Sequence, residues 1–252
     1  MAQPVPNTRL RLEIVHEDAL VVVANKAPGM VTEPGTSHRG DSLLNALVAR
    51  FGGRLLRLGE RRDYGLLHRL DRQTSGCVAC ALDPDAYDAI RAQFEARTVE
   101  KRYLAVVKGR MKAGTQSIDL SIEERRVPSN GGTRLVSAVS RAGKPAQTDI
   151  EVLATSQSHT LVRCIPHTGR LHQIRLHLAH LGFPIAGDPL YGTGARILQP
   201  SKGDDRTLGL HAWSLGFSHA EGKITATAPP SRKLVELALE VGLRHESIAT
   251  GF

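Results

Sequence analysis

Residues 68–82 read HRLDRQTSGCVACAL, a polar loop that runs directly into an apolar segment. Residues 76–82 are small or apolar without interruption, which predicts a strand buried on both faces. The loop in front of it places one acid, Asp71, between Arg69 and Arg72. The buried strand is therefore predicted to lie at the centre of the fold, and the charged loop that precedes it is a candidate site.

The sequence on either side predicts strands and helices that do not alternate regularly. The predicted strands lie within residues 12–32, 77–82, 101–109, 110–165 and 210–228, and the predicted helices lie at 41–53, from Pro84 to about Arg97, within 167–182 and at 231–241. Because a doubly wound parallel sheet needs regular alternation, that architecture is excluded. We expect an α+β fold in which helices and loops flank a mixed, largely antiparallel central sheet.

The charge balance points to a polyanionic partner. The 252 residues contain 33 Lys and Arg against 25 Asp and Glu, a net charge of +8, and 25 of the 33 basic residues are Arg. Such an excess favours nucleic acid, and arginine suits bidentate phosphate contacts. A general compositional bias toward arginine stays open as the alternative.

Other classes of protein are disfavoured by what the sequence lacks. No apolar run approaches the roughly 18 residues that a membrane-spanning helix needs, and the N-terminus has no apolar segment typical of a secretory signal. Three cysteines, at positions 77, 80 and 164, do not build a disulfide framework. Cys77 and Cys80 form a C-x-x-C pair, but without a second pair they fit a buried strand better than a zinc site. A reducing cytoplasm is the expected setting.

Asp71 is the first candidate for chemistry. Flanking guanidinium groups favour its ionised form, and Thr74 and Ser75 with backbone N–H groups are suited to hold the loop. An ionised carboxylate fixed in a cleft serves as a nucleophile or a base. The alternative is an ordinary surface pair of Asp with Arg.

The histidine-rich segment 167–182, HTGRLHQIRLHLAHLG, is the second candidate. It holds four histidines, at positions 167, 172, 177 and 180, yet it lacks H-E-x-x-H and no carboxylate accompanies them. We therefore expect no metal. Arg170 and Arg175, near the start of a helix, are better suited to bind a carboxylate or a phosphate.

Lys101 and Tyr103 form the third candidate. On a strand their side chains share one face, so that the ring can stack on a base while the ammonium meets a phosphate. The alternative is a half-buried tyrosine beside a solvated lysine.

Taken together, in order and spacing, these segments resemble the RluA-type family of RNA pseudouridine synthases. The resemblance runs from residue 12 through HRLDRQTSG, KRYLAVVKG and GKPAQTDIEVL to HTGRLHQIRLHLAHLGFPIAGDPLYG and LGLHAWSL, and thus covers most of the chain. It implies isomerisation of uridine in RNA to its C-glycoside, with neither cofactor nor metal.

The resemblance also implies roles for individual residues. Asp71 corresponds to the catalytic aspartate, and Arg175 to the arginine that pairs with it. Tyr103 corresponds to the tyrosine that stacks on the target uracil, and Ile174 lines the uracil pocket. Arg69 corresponds to the arginine that enters the RNA helix in place of the extruded base. Whether the aspartate attacks the sugar, attacks the base or removes a proton stays open.

The sequence departs from the family pattern at Leu171, where Thr is usual, and at Ala27, an inserted residue. We expect one catalytic domain over 1–252, with a short extension over about 1–10 and no S4 domain. The catalytic domain itself must then recognise a tRNA or rRNA stem-loop. The loops at 123–146 and 192–209 are the candidates for contacts with that RNA. A monomer without an obligate protein partner is expected. A non-catalytic RNA-binding protein and a metal-dependent hydrolase are the alternatives.

Overall fold

The apolar segment that follows the HRLD loop forms a strand whose residues are all buried, as predicted. The computed structural model of the chain describes residues 3–35, 37–129, 132–199 and 206–244. The chain forms two compact units: unit 1 comprises Met1–Lys101 and Ala212–Ser231, and unit 2 comprises Arg102–His211 and Arg232–Phe252.

The strands in chain order are β1 (Ile14–Glu17), β2 (Val21–Lys26), β3 (Ser75–Ala81), β4 (Glu100–Lys108), β5 (Thr115–Ser129), β6 (Gly132–Val139), β7 (Lys144–Thr155), β8 (His159–Pro166), β9 (Tyr191–Gly192), β10 (Arg196–Ile197), β11 (Leu210–His219) and β12 (Gly222–Thr227). The helices are α1 (Leu43–Phe51), α2 (Gly53–Leu58), α3 (Pro84–Ala96), α4 (Gln173–His180) and α5 (Arg232–Glu240), with 3-10 turns at Glu60–Gly65 and Thr193–Ala195.

Unit 1 is built on strands in the order β1-β2-β3-β11, with β12 paired to β11. The β1–β2, β2–β3 and β11–β12 pairs are antiparallel. Gly76, at the start of β3, has φ +112°, and a Cβ there would meet the Ala212 carbonyl oxygen at 2.1 Å. Glycine is therefore required where the predicted loop enters the sheet.

The helix ends of unit 1 follow the local sequence signals. Ser42 caps α1 in a reciprocal capping box with Asn45, and Gly52 ends the helix. Asp83 caps α3, Pro84 occupies the first turn, and the helix ends at Arg97. Both predicted helices are confirmed.

Unit 2 contains an antiparallel sheet in the order β4-β8-β7-β5-β6. Helix α4 contributes Ile174 and Leu178 to an apolar cluster with residues of the sheet, and Leu181 packs against that cluster. Helix α5 contributes Leu234 and Ala238 to a second cluster. The helix predicted within residues 167–182 is confirmed.

Two segments differ from the expectation. Residues 123–146 form most of the β5–β6 hairpin and the start of β7 rather than a loop, although residues 130–131 lie outside the described part. Residues 192–209 contain β9–β10 pairing and a 3-10 turn, and residues 200–205 lie outside the described part. Charged side chains on these strands interrupt the apolar alternation from which strands are predicted.

The α+β fold with largely antiparallel pairing is confirmed, while one catalytic domain over 1–252 stays a prediction. The three cysteines are buried and free, and burial raises the pKa of the Cys77 thiol to about 12. A thiol of that pKa is unreactive at neutral pH, in agreement with the structural interpretation of C-x-x-C. In the described ranges, no helix is long and apolar enough to cross a membrane.

Candidate active site

The Asp71 loop of unit 1 is held on both sides by the segment that follows β2. The hydroxyl of Thr32 donates to the Leu70 carbonyl at 2.9 Å and accepts from the Leu70 N–H at 3.1 Å, and both residues are buried. On the other side, the Gly29 N–H donates to the Arg72 carbonyl at 2.8 Å. The backbone of Asp71 is thus fixed through each of its neighbours.

Lys26 lies fully buried beneath this loop, and sequence reasoning missed it. Its ammonium donates to the carbonyls of Met30 at 2.8 Å, Ala27 at 3.0 Å and Arg72 at 3.2 Å, which uses all three of its donors. Burial lowers the pKa of Lys26 to about 7, and the negative charge of Asp71 acts in the opposite direction. Asp71 therefore favours the charged form of the buried Lys26, and the two groups interact electrostatically.

The loop turns back at Thr74, whose N–H donates to the Asp71 carbonyl at 3.1 Å. Thr74 and Ser75 are buried, in agreement with the expectation that they hold the loop. Arg69 is exposed and forms an ion pair with Glu33, and the Arg72 Nε donates to the Gly29 carbonyl at 3.0 Å. The two flanking guanidinium groups thus make contacts with the 29–33 segment.

His68, at the start of the loop, joins it to β3. Its Nε2 accepts from the Ala79 N–H at 3.1 Å, and its ring stacks on Phe94 with centroids 5.0 Å apart. Burial, followed by the positive charges of Lys101 and Arg91, lowers the pKa of His68 to about 3. His68 is therefore neutral at physiological pH and serves as an acceptor. Burial also lowers the pKa of Lys101, with the nearby charge of Arg97 as the second cause.

In unit 2, Arg175 is held by a second acid that sequence reasoning did not identify. Its Nε and Nη2 donate to the two carboxylate oxygens of Asp188 at 2.9 and 2.8 Å, and both side chains are at least 95% buried. The N–H groups of Leu190 and Tyr191 also donate to Asp188. This carboxylate lies in the GDPLYG segment, and its role as a buried partner fixes the guanidinium in one plane.

The ring of Tyr191 completes the support of Arg175, since the guanidinium carbon lies 5.3 Å from the ring centroid. The Ser137 N–H donates to the Tyr191 hydroxyl oxygen at 2.8 Å, and the hydroxyl is hydrogen-bonded to Nδ1 of His172, also at 2.8 Å. Burial raises the pKa of Tyr191 to about 12. Tyr191 thus stays neutral and is a structural support.

Tyr103 and Ile174 belong to one apolar surface of unit 2. Tyr103 lies opposite Cys164 in the β4–β8 pair and packs, half-buried, on the cluster that contains Ile174. Arg170 is half-buried, and its Nε donates to the Pro145 carbonyl at 3.2 Å. Unit 2 therefore brings the predicted stacking residue and the predicted pocket residue together. Pairing of Arg175 with Asp71 would join the two units and stays a prediction.

Three of the four histidines of segment 167–182 have protein partners of their own rather than a shared centre. His167 bonds to Asp149, His172 to Tyr191 and His177 to Thr148.

Among the described residues, the group with closely spaced ligand atoms is instead Asp18, His219 and Glu221. The Glu221 N–H donates to His219 Nδ1 at 3.3 Å, which leaves the proton on Nε2, 3.5 Å from Asp18. A protonated Nε2 offers no lone pair to a metal. This group therefore fits a set of hydrogen bonds better than a metal site.

Comparison with known proteins places this geometry in a family. Residues 20–180 match the family model described as RNA pseudouridylate synthase. The chain belongs to this family. Its resemblance to RNA pseudouridine synthases is thereby confirmed, and the match contains both the Asp71 loop and Arg175.

Relatives from bacteria extend the match over most of the chain. It is 38% identical over 208 residues to the uncharacterized RNA pseudouridine synthase YlyB of Bacillus subtilis, covering 82% of this chain and 65% of the relative. It is 35% identical over 226 residues to ribosomal large subunit pseudouridine synthase D of Neisseria meningitidis, covering 86% and 57%. The chain thus spans less than two thirds of the length of either relative.

Among solved structures, the chain resembles human RNA pseudouridylate synthase domain containing 4 with a TM-score of 0.70 at 25% identity. The likeness covers 92% of this chain and 94% of the human chain. The fold of the family therefore extends over nearly the whole chain.

Proposed function

We propose that this protein isomerises uridine in RNA to pseudouridine and that Asp71 is its catalytic carboxylate. The observation that carries the proposal is the Asp71 loop: an acid whose two neighbours are fixed by hydrogen bonds and whose charge acts on a buried lysine. A binding protein has no need to fix an acid in this way. Family membership supports the same conclusion.

The reaction breaks the bond from N1 of uracil to C1′ of the ribose and forms a bond from C5 to C1′. N1 gains a proton and C5 loses one, so the product is an isomer and no co-reactant is consumed. Asp71 acts on the ribose or the base, and Arg175 keeps it ionised and oriented. Tyr103 stacks on the uracil while it turns, and Ile174 closes the apolar side of the pocket.

The target nucleotide must leave its stack before the ring can turn, which costs a few kcal/mol. We assign Arg69 to the vacated position. Arg69 must first leave Glu33, but its side chain is 67% exposed, and an exposed pair contributes at most about 1 kcal/mol. A contact of the same guanidinium with RNA phosphate or base offsets that loss.

The substrate that this chemistry fits is a structured RNA, a stem-loop of tRNA or rRNA. The net charge of +8 supports a polyanion, and Arg72, Lys101 and Arg170 are our candidates for phosphate contacts. We also propose that the protein acts on this RNA as a monomer in the cytoplasm.

Release of tritium from RNA labelled at C5 of uridine tests the proposal, because C5 loses its hydrogen only when the new bond forms. We expect wild-type protein to release tritium from total tRNA or rRNA. Asp71→Asn is expected to release none, while it retains RNA affinity within about threefold. Equal release by the Asp71→Asn variant would refute the role of Asp71. RNA binding without any release by wild type would favour the non-catalytic alternative.

A further inference from the structure

Helix α4, which carries Ile174 and Arg175, begins in an unusual way. The residue before it, His172, is in the left-handed region at φ 54° and ψ 20°, and its side chain makes no capping bond to the helix. Non-glycine residues adopt this conformation only where the surroundings impose it. The start of α4 must therefore be held by something other than a conventional cap.

The side-chain amide of Gln173 provides this support. Its oxygen accepts from the Thr168 hydroxyl at 2.7 Å and from the Arg170 N–H at 3.0 Å. Its nitrogen donates to the Gln147 carbonyl and to the Thr148 hydroxyl oxygen, both at 2.9 Å. An amide can make four such bonds, so Gln173, which is only 3% exposed, is fully satisfied.

These bonds tie the first residue of α4 to strand β7, which provides Gln147 and Thr148, and to the loop that leaves β8, which provides Thr168 and Arg170. We call this set of five residues the Gln173 clamp. One helical turn further along, Nδ1 of His177 lies 3.0 Å from the same Thr148 hydroxyl. The face of α4 that meets β7 is thus attached at two successive turns.

The attachment determines where the next two side chains point. Successive residues of a helix are rotated by about 100° from one another, so fixing Gln173 fixes the directions of Ile174 and Arg175. Arg175 must reach Asp188 with two parallel hydrogen bonds, a geometry that a small rotation of the helix destroys.

We propose that Gln173 is a positioning residue, which sets the rotation of α4 and thereby aligns Ile174 and Arg175 for the reaction. The inference rests on the proposed function for its catalytic consequence, but the alignment of α4 can be measured without it.

The variant Gln173→Glu tests the clamp because it keeps the shape of the side chain. One carboxylate oxygen still accepts from Thr168 and Arg170, whereas the other faces the Gln147 carbonyl as a second acceptor. Protonation restores a donor at that oxygen, and burial favours protonation. We expect kcat relative to wild type to fall at least tenfold at pH 8 and to recover at least threefold at pH 5.5, with KM for RNA within about twofold.

Gln93→Glu is the matched control. The Gln93 amide, in unit 1, exchanges two hydrogen bonds with the backbone of Ser218, so the substitution removes a comparable donor away from α4. We expect its kcat to follow wild type at both pH values. A pH-independent loss in Gln173→Glu, or the same pH dependence in Gln93→Glu, would overturn the inference.

Amide hydrogen exchange provides a readout that needs no catalysis. The Leu176 N–H donates to the His172 carbonyl at 2.9 Å, the first turn of α4. We expect this amide to exchange at least tenfold faster in Gln173→Glu than in wild type at pH 8. Should that variant fail to fold, Thr148→Val, which removes one bond of the clamp, is expected to speed the exchange about threefold.

Unchanged exchange at Leu176 in whichever variant folds would refute the clamp, whatever the enzyme does. Faster exchange in a protein whose wild type releases no tritium would instead refute the proposed function and leave the clamp in place. The two failures are thus distinguishable.

Discussion

Replacement of Thr32 by valine tests how the Asp71 loop is held in place, because it leaves Asp71 itself unchanged. Valine keeps the volume of the side chain but removes the hydroxyl that donates to the Leu70 carbonyl and accepts from the Leu70 N–H. Thr32 is 4% exposed and Leu70 is 8% exposed, so water cannot replace either bond. Two buried backbone groups next to Asp71 are then left unsatisfied.

The expected cost follows from that count. A buried polar group without a partner costs about 1–3 kcal/mol, so two of them cost about 2–6 kcal/mol. We expect the urea midpoint of Thr32→Val to fall accordingly with an unchanged m value. Because the loop carries Asp71, tritium release is expected to fall at least tenfold under conditions where the variant is still folded.

Thr32→Ser is the control, since serine restores the hydroxyl and loses only a methyl group. We expect it to recover most of both the stability and the rate. The hydroxyl does not support the loop if Thr32→Val and Thr32→Ser have the same urea midpoint. The same conclusion follows if Thr32→Val has the midpoint of the wild type.

Three further variants test separate parts of the site. His68 has a pKa of about 3 in the folded state and about 6.5 in the unfolded state, so the folded state resists protonation and its stability falls as the pH drops below 6.5. Between pH 7 and pH 5 we expect the wild type to lose about 2 kcal/mol of unfolding free energy relative to His68→Gln, as measured by urea unfolding. Parallel pH curves for the two proteins would contradict this prediction. Asp188→Asn leaves the buried Arg175 without its carboxylate and is expected to lower the unfolding free energy by about 3–5 kcal/mol; a loss below 1 kcal/mol would exclude the pair as a support. Tyr103→Phe keeps the ring, so a rate within threefold of wild type assigns Tyr103 to stacking, and a loss above a hundredfold assigns its hydroxyl to proton transfer.

Local signals in the sequence predicted much of the fold. The helices predicted at 41–53 and from Pro84 to about Arg97 each depend on a few neighbouring residues, and both are present, capped by Ser42 and Asp83. The uninterrupted apolar run of β3 likewise needs no knowledge of the rest of the chain. Strands are predicted within residues 110–165, but residues 123–146 are also predicted as a loop, because the run Glu123–Arg126 interrupts the apolar alternation of β5.

The candidate site was predicted only where a residue carries an exceptional pattern. Asp71 and Arg175 stand in distinctive motifs, but Lys26, Asp188 and Gln173 are polar residues whose importance comes from burial. Sequence gives a lysine or an acid a strong expectation of exposure. Only tertiary structure shows that Lys26 meets three carbonyls and that Asp188 meets a guanidinium. A long-range partner leaves no local signal.

The most direct test of the central claim is a map of pseudouridine across total RNA from cells with the wild-type protein and from cells that carry only Asp71→Asn. The account predicts that at least one position in tRNA or rRNA is fully modified in the first and unmodified in the second, and that the wild-type protein restores it when added to the RNA. Identical maps in the two strains, with no new pseudouridine formed on addition of the protein, would contradict the account.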